Sequence, residues 1–467
     1  MPSDGPPSPV WGDASGARIR AALVLVMPLL ALIPKYWIIH SLYPPGVSLF
    51  DTGFGFAGYV RSLLAGNGLR MCSALPFKAC SPDLCVYATR MPVIPLLLAA
   101  LDRLTGSQAE SVALAKSVAM ALLSTGFLAT LVRDFRIGWP GVVILYFLYF
   151  GPQSLKHGAA LDYEEGILID LSLCLAIAAC YLIRRDIPVA ARRSSMALAG
   201  VMLAASMYLT KTTALLTVIV MTTMVMTRPA LSRGVKVAAV AVILLPMTFW
   251  GWHNWNTSGA IHLSSSWNGE NLVRGYDTGA AAIYPEISLD RIFDSRQARL
   301  DNGSLVPLGN YTGKQCFTDE WQWSSTYSLQ ARRWLADHPL DGLRFTGRKV
   351  WVTLLEIRHT PTYTSATQKS GHYASGLSLA MVAWMVGARV IFFLLVGAAV
   401  PAITKRGQTS YIWALVIVLA ACAPYMLVFA YQRHLIPILL LAGVLFVTLF
   451  LSSPRPAPNP LIMRTQT

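Results

Sequence analysis

The chain has 467 residues, of which 54% are apolar and 13% are charged, and it carries a net charge of +15. Soluble domains carry about 25% charged residues, and here the apolar residues come in long runs, which excludes an ordinary soluble domain. In a soluble protein such a charge would suggest nucleic acid. In a membrane chain the basic residues belong in cytoplasmic loops, so no nucleic-acid partner is expected.

A nearly uncharged run of ~17 residues or more can cross a hydrocarbon core of ~30 Å. Spans are predicted near 19–42, 110–132, 137–153, 164–183, 195–210, 213–227, 235–252, 377–400, 410–430 and 435–452. The first contains Pro28 and Pro34 and lacks a small-residue cleavage site, so it is expected to stay as a span. With the N-terminus inside, the inside segments hold Arg18 and Arg20, Arg133 and Arg136, and Arg184, Arg185, Arg192 and Arg193. The later ones hold Arg228, Arg233 and Lys236, then Lys405 and Arg406, then Arg455 and Arg464. Every inside segment is basic, as the positive-inside rule requires. Met91–Leu101 is too short for a span and carries Pro92 and Pro95, so it is laid flat as an interfacial helix.

The expected fold is an all-α polytopic membrane protein of about ten transmembrane helices, with interfacial helices in the first outside loop and a small outside domain. Its parts are a disordered cytoplasmic N-terminus (1–18), an N-terminal transmembrane catalytic module (19–252) with its first outside loop (43–109), a non-cytoplasmic domain (253–376), C-terminal transmembrane helices (377–452) and a cytoplasmic tail (453–467). Cys72, Cys80, Cys85 and Cys316 all fall outside. An even number in an oxidising compartment favours disulfides, with the pairing open. A bridge from Cys316 to the first loop would tie the two outside segments together. No histidine lies in that loop, so a metal site ranks below a disulfide.

Charge at a membrane boundary is costly enough to need a reason. The outer end gathers Asp51 after the first span, and Asp162, Glu164 and Glu165 where the fourth begins. Lys156 and His157 precede them; Lys211 stands between the fifth and sixth spans, Arg433 and His434 open the tenth, and Arg90 precedes the interfacial helix. A carboxylate can take a proton from an acceptor hydroxyl, and cations can hold a phosphate and stabilise the charge growing on it as it leaves. Each residue also has a plainer reading. Asp51 fits a helix N-cap, Glu164 and Glu165 fit first-turn acids favoured by the helix dipole, and Lys211 and Arg433 can snorkel. Lys116 and Asp170 lie deeper, where an interior role or mutual pairing is expected.

Several of these stretches resemble the GT-C glycosyltransferases, in the branch of protein O-mannosyltransferases and aminoarabinose transferases. Phe50-Asp51-Thr52 through Tyr59 to Gly66 is similar to that family's first-loop motif, and Arg90-Met91-Pro92 through Pro95 to its basic-Pro interfacial helix. Lys116 falls where the family often has a basic residue, Lys156 to Asp162 is similar to its second-loop stretch, and Leu209-Thr210-Lys211-Thr212 to a Thr-Lys at a span end. His253-Asn254-Trp255, Gly269-Glu270-Asn271-Leu272, Ala331 to Trp334, and Gln432 to Pro437 continue the match in order. The first-loop pair is Asp51-Thr52 rather than two acids, and His253 stands where the family has Arg.

The resemblance implies a glycosyltransferase that moves a sugar, with inversion, from a polyprenyl-phosphate-linked donor to an acceptor hydroxyl on the non-cytoplasmic face. It places the protein in a bacterial inner membrane facing the periplasm. Asp51 is the expected general base, with Asp162 and Glu165 as further catalytic acids. Arg90, Lys116, Lys211 and Arg433 are expected on the donor phosphate, and Glu164, His157 and His434 on substrate. The partners are then the lipid-linked donor, a glycan, lipid or protein acceptor, and membrane lipids. No cofactor is called for, and a divalent cation stays open. A lipid-linked glycan ligase or polymerase is the alternative reading. A flippase or transporter would place its charges near the midplane, often in repeated or broken helices, and no repeat is visible.

Overall fold

A computed structural model of the chain describes residues 13–454 apart from 53–54, 74, 162, 185–189, 285–296, 300–304, 308–315, 356–378, 405–407 and 429–431. Asp162, the inside residues Arg185, Lys405, Arg406, Arg455 and Arg464, and both ends of the chain lie outside the described residues.

The described residues are mainly helical. Helices α1 (Asp13–Leu30) and α2 (Leu32–Leu42) form the first apolar column. They are followed by α3 (Ala57–Leu64), α4 (Val93–Thr105), α5 (Ala109–Asp134), α6 (Trp139–Tyr149), α7 (Pro152–Ala159), α8 (Glu164–Ile183), α9 (Ala190–Thr210), α10 (Leu215–Thr227) and α11 (Arg233–Ser258). Helices α12 (Asn268–Gly275), α13 (Thr278–Ile283), α14 (Glu320–Asp337) and α15 (Pro339–Leu354) come next, then α16 (Leu379–Thr404), α17 (Ile412–Leu427) and α18 (Gln432–Phe450).

Every predicted span falls on helix. Seven helices are long and apolar enough to cross a membrane: Ser15–Leu42, Ala109–Asp134, Glu164–Ile183, Arg233–Ser258, Leu379–Thr404, Thr409–Leu427 and Arg433–Phe450. The chain is an integral membrane protein. The other three expected spans fall on the shorter apolar helices Trp139–Tyr149 and Thr212–Thr227 and on α9, which opens with Arg192 and Arg193. The 13 residues of α4 reach only ~20 Å at 1.5 Å per residue, short of a bilayer core.

Helix α8 is the centre of the bundle. It has apolar residues on all sides, and every residue from Glu165 to Ile183 is buried, as expected of a helix surrounded by other helices rather than by lipid. It packs on α18, α9, α5 and α7. At its start, a side chain on Gly166 would collide with the carbonyl of His157, so α7 and α8 meet backbone to backbone. Peripheral α11 instead exposes Val237, Leu244 and Leu245, the pattern of a lipid-facing surface. At the predicted inner end, strand Phe135–Ile137 pairs antiparallel with Ser452–Pro454. Arg184 donates there to the carbonyls of Thr448 and Ser452.

At the opposite end the two segments expected outside close over the bundle. Helices α12 to α15 share a small apolar core of Val273, Tyr276, Ala280, Tyr284, Ala331, Phe345 and Val352. Cys72 is bonded to Cys85 and Cys80 to Cys316. The second bridge joins the segment between α3 and α4 to the chain just before α14. Ala79 pairs with Phe317 beside it, and the Glu320 carboxylate accepts the backbone N–H groups of Tyr87 and Ala88 and the Ser266 hydroxyl.

Candidate functional site

Between the helix ends and this roof lies a cavity of about 1480 Å³, lined among others by Arg90, Tyr163, Glu164, Glu165, Lys211, Trp267, Asn268, Tyr425, Arg433 and His434. Its charged floor comes from four places in the chain. Glu164 and Glu165 occupy the first turn of α8, where the helix dipole favours carboxylates. Lys211 sits in the break between α9 and the short turn Thr212–Ala214 that leads into α10. Arg433 and His434 lie in the first turn of α18, one turn before Pro437. Arg90 lies just before α4.

Lys211 Nζ donates to Glu165 Oε1 at 2.6 Å and lies 3.0 Å from Glu164 Oε2. Arg90 approaches Glu164 at 3.5 Å, and Arg433 Nε approaches Glu165 at 3.9 Å. His434 Nε2 stands 2.9 Å from Lys211 Nζ and 3.0 Å from Glu165 Oε1, so its tautomer decides which of the two it bonds. Burial opposes the charge on Lys211, but Glu165 and then Glu164 outweigh it and hold the ammonium pKa above the ordinary lysine value.

Aromatic faces complete the cation sites. Arg90 lies over the rings of Trp267 and Phe56, at 4.3 and 5.4 Å. Arg433 lies over Tyr163 at 5.3 Å and Lys211 over Tyr425 at 5.7 Å. Tyr425 is held by a hydrogen bond from Thr213 at 2.8 Å and lies against His434. Three cations thus face two carboxylates along one wall, an arrangement with room for a further anion.

The structure brings Arg90, Glu164, Glu165, Lys211, Arg433 and His434 to this wall. Asp51 is exposed in the turn Leu49–Asp51 and is not among the lining residues, and Ser48 caps that turn. Lys116 is buried in α5 and donates to the carbonyl of Ala160. His157 is buried behind Tyr163, edge to face with its ring. Asp170 accepts from Ser124 and Tyr149 rather than from Lys116. Among the described residues no cluster of His, Cys, Asp and Glu is arranged to hold a metal ion.

Sequence reasoning missed Tyr425, Thr213, Asn268 and Glu320. Tyr425 lies within an apolar run, between Pro424 and Met426-Leu427-Val428, with nothing to mark it. Glu320 follows Asp319, whose side chain caps α14, so the pair reads as ordinary helix-start acids. Only the burial of Glu320 distinguishes it.

No protein-family model matches the chain, and no curated protein matches it either. Among solved structures it is similar to ArnT from Cupriavidus metallidurans bound to undecaprenyl phosphate, at 13% identity and a TM-score of 0.38, over 93% of this chain and 78% of that one. It is similar to the apo state of the same protein at 13% identity and a TM-score of 0.38, over 91% and 77%.

Proposed function

We propose that the chain is a membrane glycosyltransferase that moves a sugar from a polyprenyl-phosphate-linked donor to an acceptor hydroxyl on the non-cytoplasmic face. The observation that carries this reading is the meeting of Arg90, Lys211 and Arg433 with Glu164 and Glu165 at one wall of a large cavity at one end of the bundle. A phosphate at the end of a polyprenyl chain stands at the depth where these helix ends lie, with its tail among the spans. Arg90 and Lys211 offer charge-assisted donors to it, and Arg433 adds a third positive charge.

Glu164 is the base we assign, because it lines the cavity and touches both Arg90 and Lys211. The acceptor O–H gives its proton to Glu164 while its oxygen attacks the anomeric carbon from the face opposite the phosphate. The bond between that carbon and the phosphate oxygen breaks, its electron pair stays on the phosphate, and the sugar inverts. The cations stabilise the departing charge in a site screened from bulk water. Glu165, more deeply buried, acts by holding Lys211 and His434 in place. Asp162, two residues before Glu164 in the sequence, is a second candidate for contact with the acceptor.

The test is release of polyprenyl phosphate by the purified full chain in vesicles, given polyprenyl-phosphate monosaccharides and, separately, a diphosphate-linked oligosaccharide. The reading expects release from a monosaccharide phosphate. Turnover of the diphosphate-linked glycan alone would make the chain a ligase or polymerase. No turnover of either would overturn the enzymatic reading.

A further inference from the structure

The charged floor accounts for one side of the cavity. The facing wall is chemically different and comes from α12 and α14. On α14, Gln322, Ser325 and Ser328 follow one another at helical spacing and line the cavity. On α12, Asn268 and Asn271 share a face in the same way and line it too. These side chains are neutral, and each can both donate and accept hydrogen bonds. Charged side chains line this wall as well: Arg274 is ion-paired with Glu270, Glu320 accepts from Tyr87, Ala88 and Ser266, Asp319 caps α14, and Arg332 stands one helical turn beyond Ser328.

Aromatic rings flank this amide and hydroxyl surface. His262 and Trp321 stack at 3.6 Å with their planes 15° apart, and both line the cavity. Trp267 stands between the wall and the floor, with Arg90 on its ring. The two sides join at Asn268, whose Oδ1 accepts the Thr212 hydroxyl at 3.1 Å, next to Lys211. A group bound along the wall therefore ends beside the phosphate site and Glu164.

We infer that this wall is the acceptor site and that the acceptor is a carbohydrate; this rests on the glycosyltransferase reading above. Sugar hydroxyls, like these amides and hydroxyls, donate and accept at once, and the flat C–H face of a sugar ring packs on aromatic faces. A lipid chain would call for a continuous apolar lining.

The test separates the acceptor from the donor. Cells with and without the chain are fed radiolabelled glucose, and their envelopes are sorted into polysaccharide, protein and lipid. The expected loss of label is confined to the delipidated, protease-resistant polysaccharide. Loss confined to protein or to lipid overturns the carbohydrate acceptor while leaving donor turnover intact. No loss in any fraction, together with no release of polyprenyl phosphate by the purified chain, overturns the donor reading itself. No loss with release intact overturns the acceptor inference alone.

Polysaccharide from cells lacking the chain then serves as acceptor for the purified protein. Asn271→Leu and Ser325→Leu should each raise the acceptor KM about tenfold with kcat and donor KM near wild type. A fall in kcat at unchanged acceptor KM would overturn the assignment of this wall.

Discussion

Glu165 and Lys211 lie 2.6 Å apart although 46 residues separate them in the chain. One opens the central buried helix and the other fills the break between two later spans. Their contact puts the α8 start and the α9–α10 break at the same end of the bundle, so acids and cations from distant segments share one cavity wall.

Lys211 neutralises two carboxylates with little access to water, so its loss should be felt in stability and in turnover. Lys211→Met should lower stability by ~3–5 kcal/mol, the usual cost of stranding a buried partner. It should also slow polyprenyl-phosphate release ~100-fold or more. Combining it with Glu165→Gln should recover part of the lost stability in a double-mutant cycle and none of the turnover. Thermal unfolding and the release assay on the same preparations check both.

Glu164→Gln keeps the shape of the side chain and removes the base. Turnover should fall ~100-fold or more, with donor binding retained. Asp51→Asn should leave turnover within about threefold of wild type, since Asp51 is exposed and stands apart from the cavity lining. Loss of turnover in Asp51→Asn with retention in Glu164→Gln would reverse the two assignments.

The helices were legible because hydropathy runs are local and each predicted span is one continuous run of chain. The first span was read as one continuous run, whereas α1 gives way to α2 at a point flanked by Pro28 and Pro34. Glu164, Lys211, Arg433 and His434 were legible singly, because charge at a membrane boundary stands out against apolar neighbours. Their contacts were not, because they depend on how α8, α9 and α18 pack. Asp51 drew attention through its neighbours Phe50 and Thr52, yet sequence has no measure of which turn faces a cavity. Tyr425 and Asn268 escaped notice because an aromatic within an apolar run and an amide at a helix start are common in their own right.

Glu320 gives a pH signature. Burial raises its carboxyl pKa above the ordinary 4.5, against the lowering effect of the Tyr87 N–H. The folded chain therefore binds a proton at higher pH than the unfolded chain, whose Glu320 titrates at the ordinary value. Stability from this group is greatest at and below the ordinary value and falls as pH rises through the raised one. Glu320→Gln should flatten that part of the stability profile, as read by thermal unfolding at a series of pH values. An unchanged profile would mean that Glu320 does not titrate there.

The bridge from Cys80 to Cys316 fastens the segment between α3 and α4 to the roof, which the account places outside. Cys80→Ser should cost ~2–4 kcal/mol and leave Cys316 open to a membrane-impermeant thiol reagent added from outside. Equal stability with Cys316 still unreactive would show that Glu320 and the strand contact hold the roof without the bridge.

The central claim is that the cations at this wall hold the phosphate of a lipid carrier. The most direct measurement is binding of a long-chain polyprenyl phosphate to the purified full chain, by native mass spectrometry of wild type and Lys211→Met at the same lipid concentration. The account predicts a one-to-one complex with wild type and binding at least about tenfold weaker in the variant. Equal binding by a variant that remains folded would remove Lys211 from the phosphate site and contradict the account.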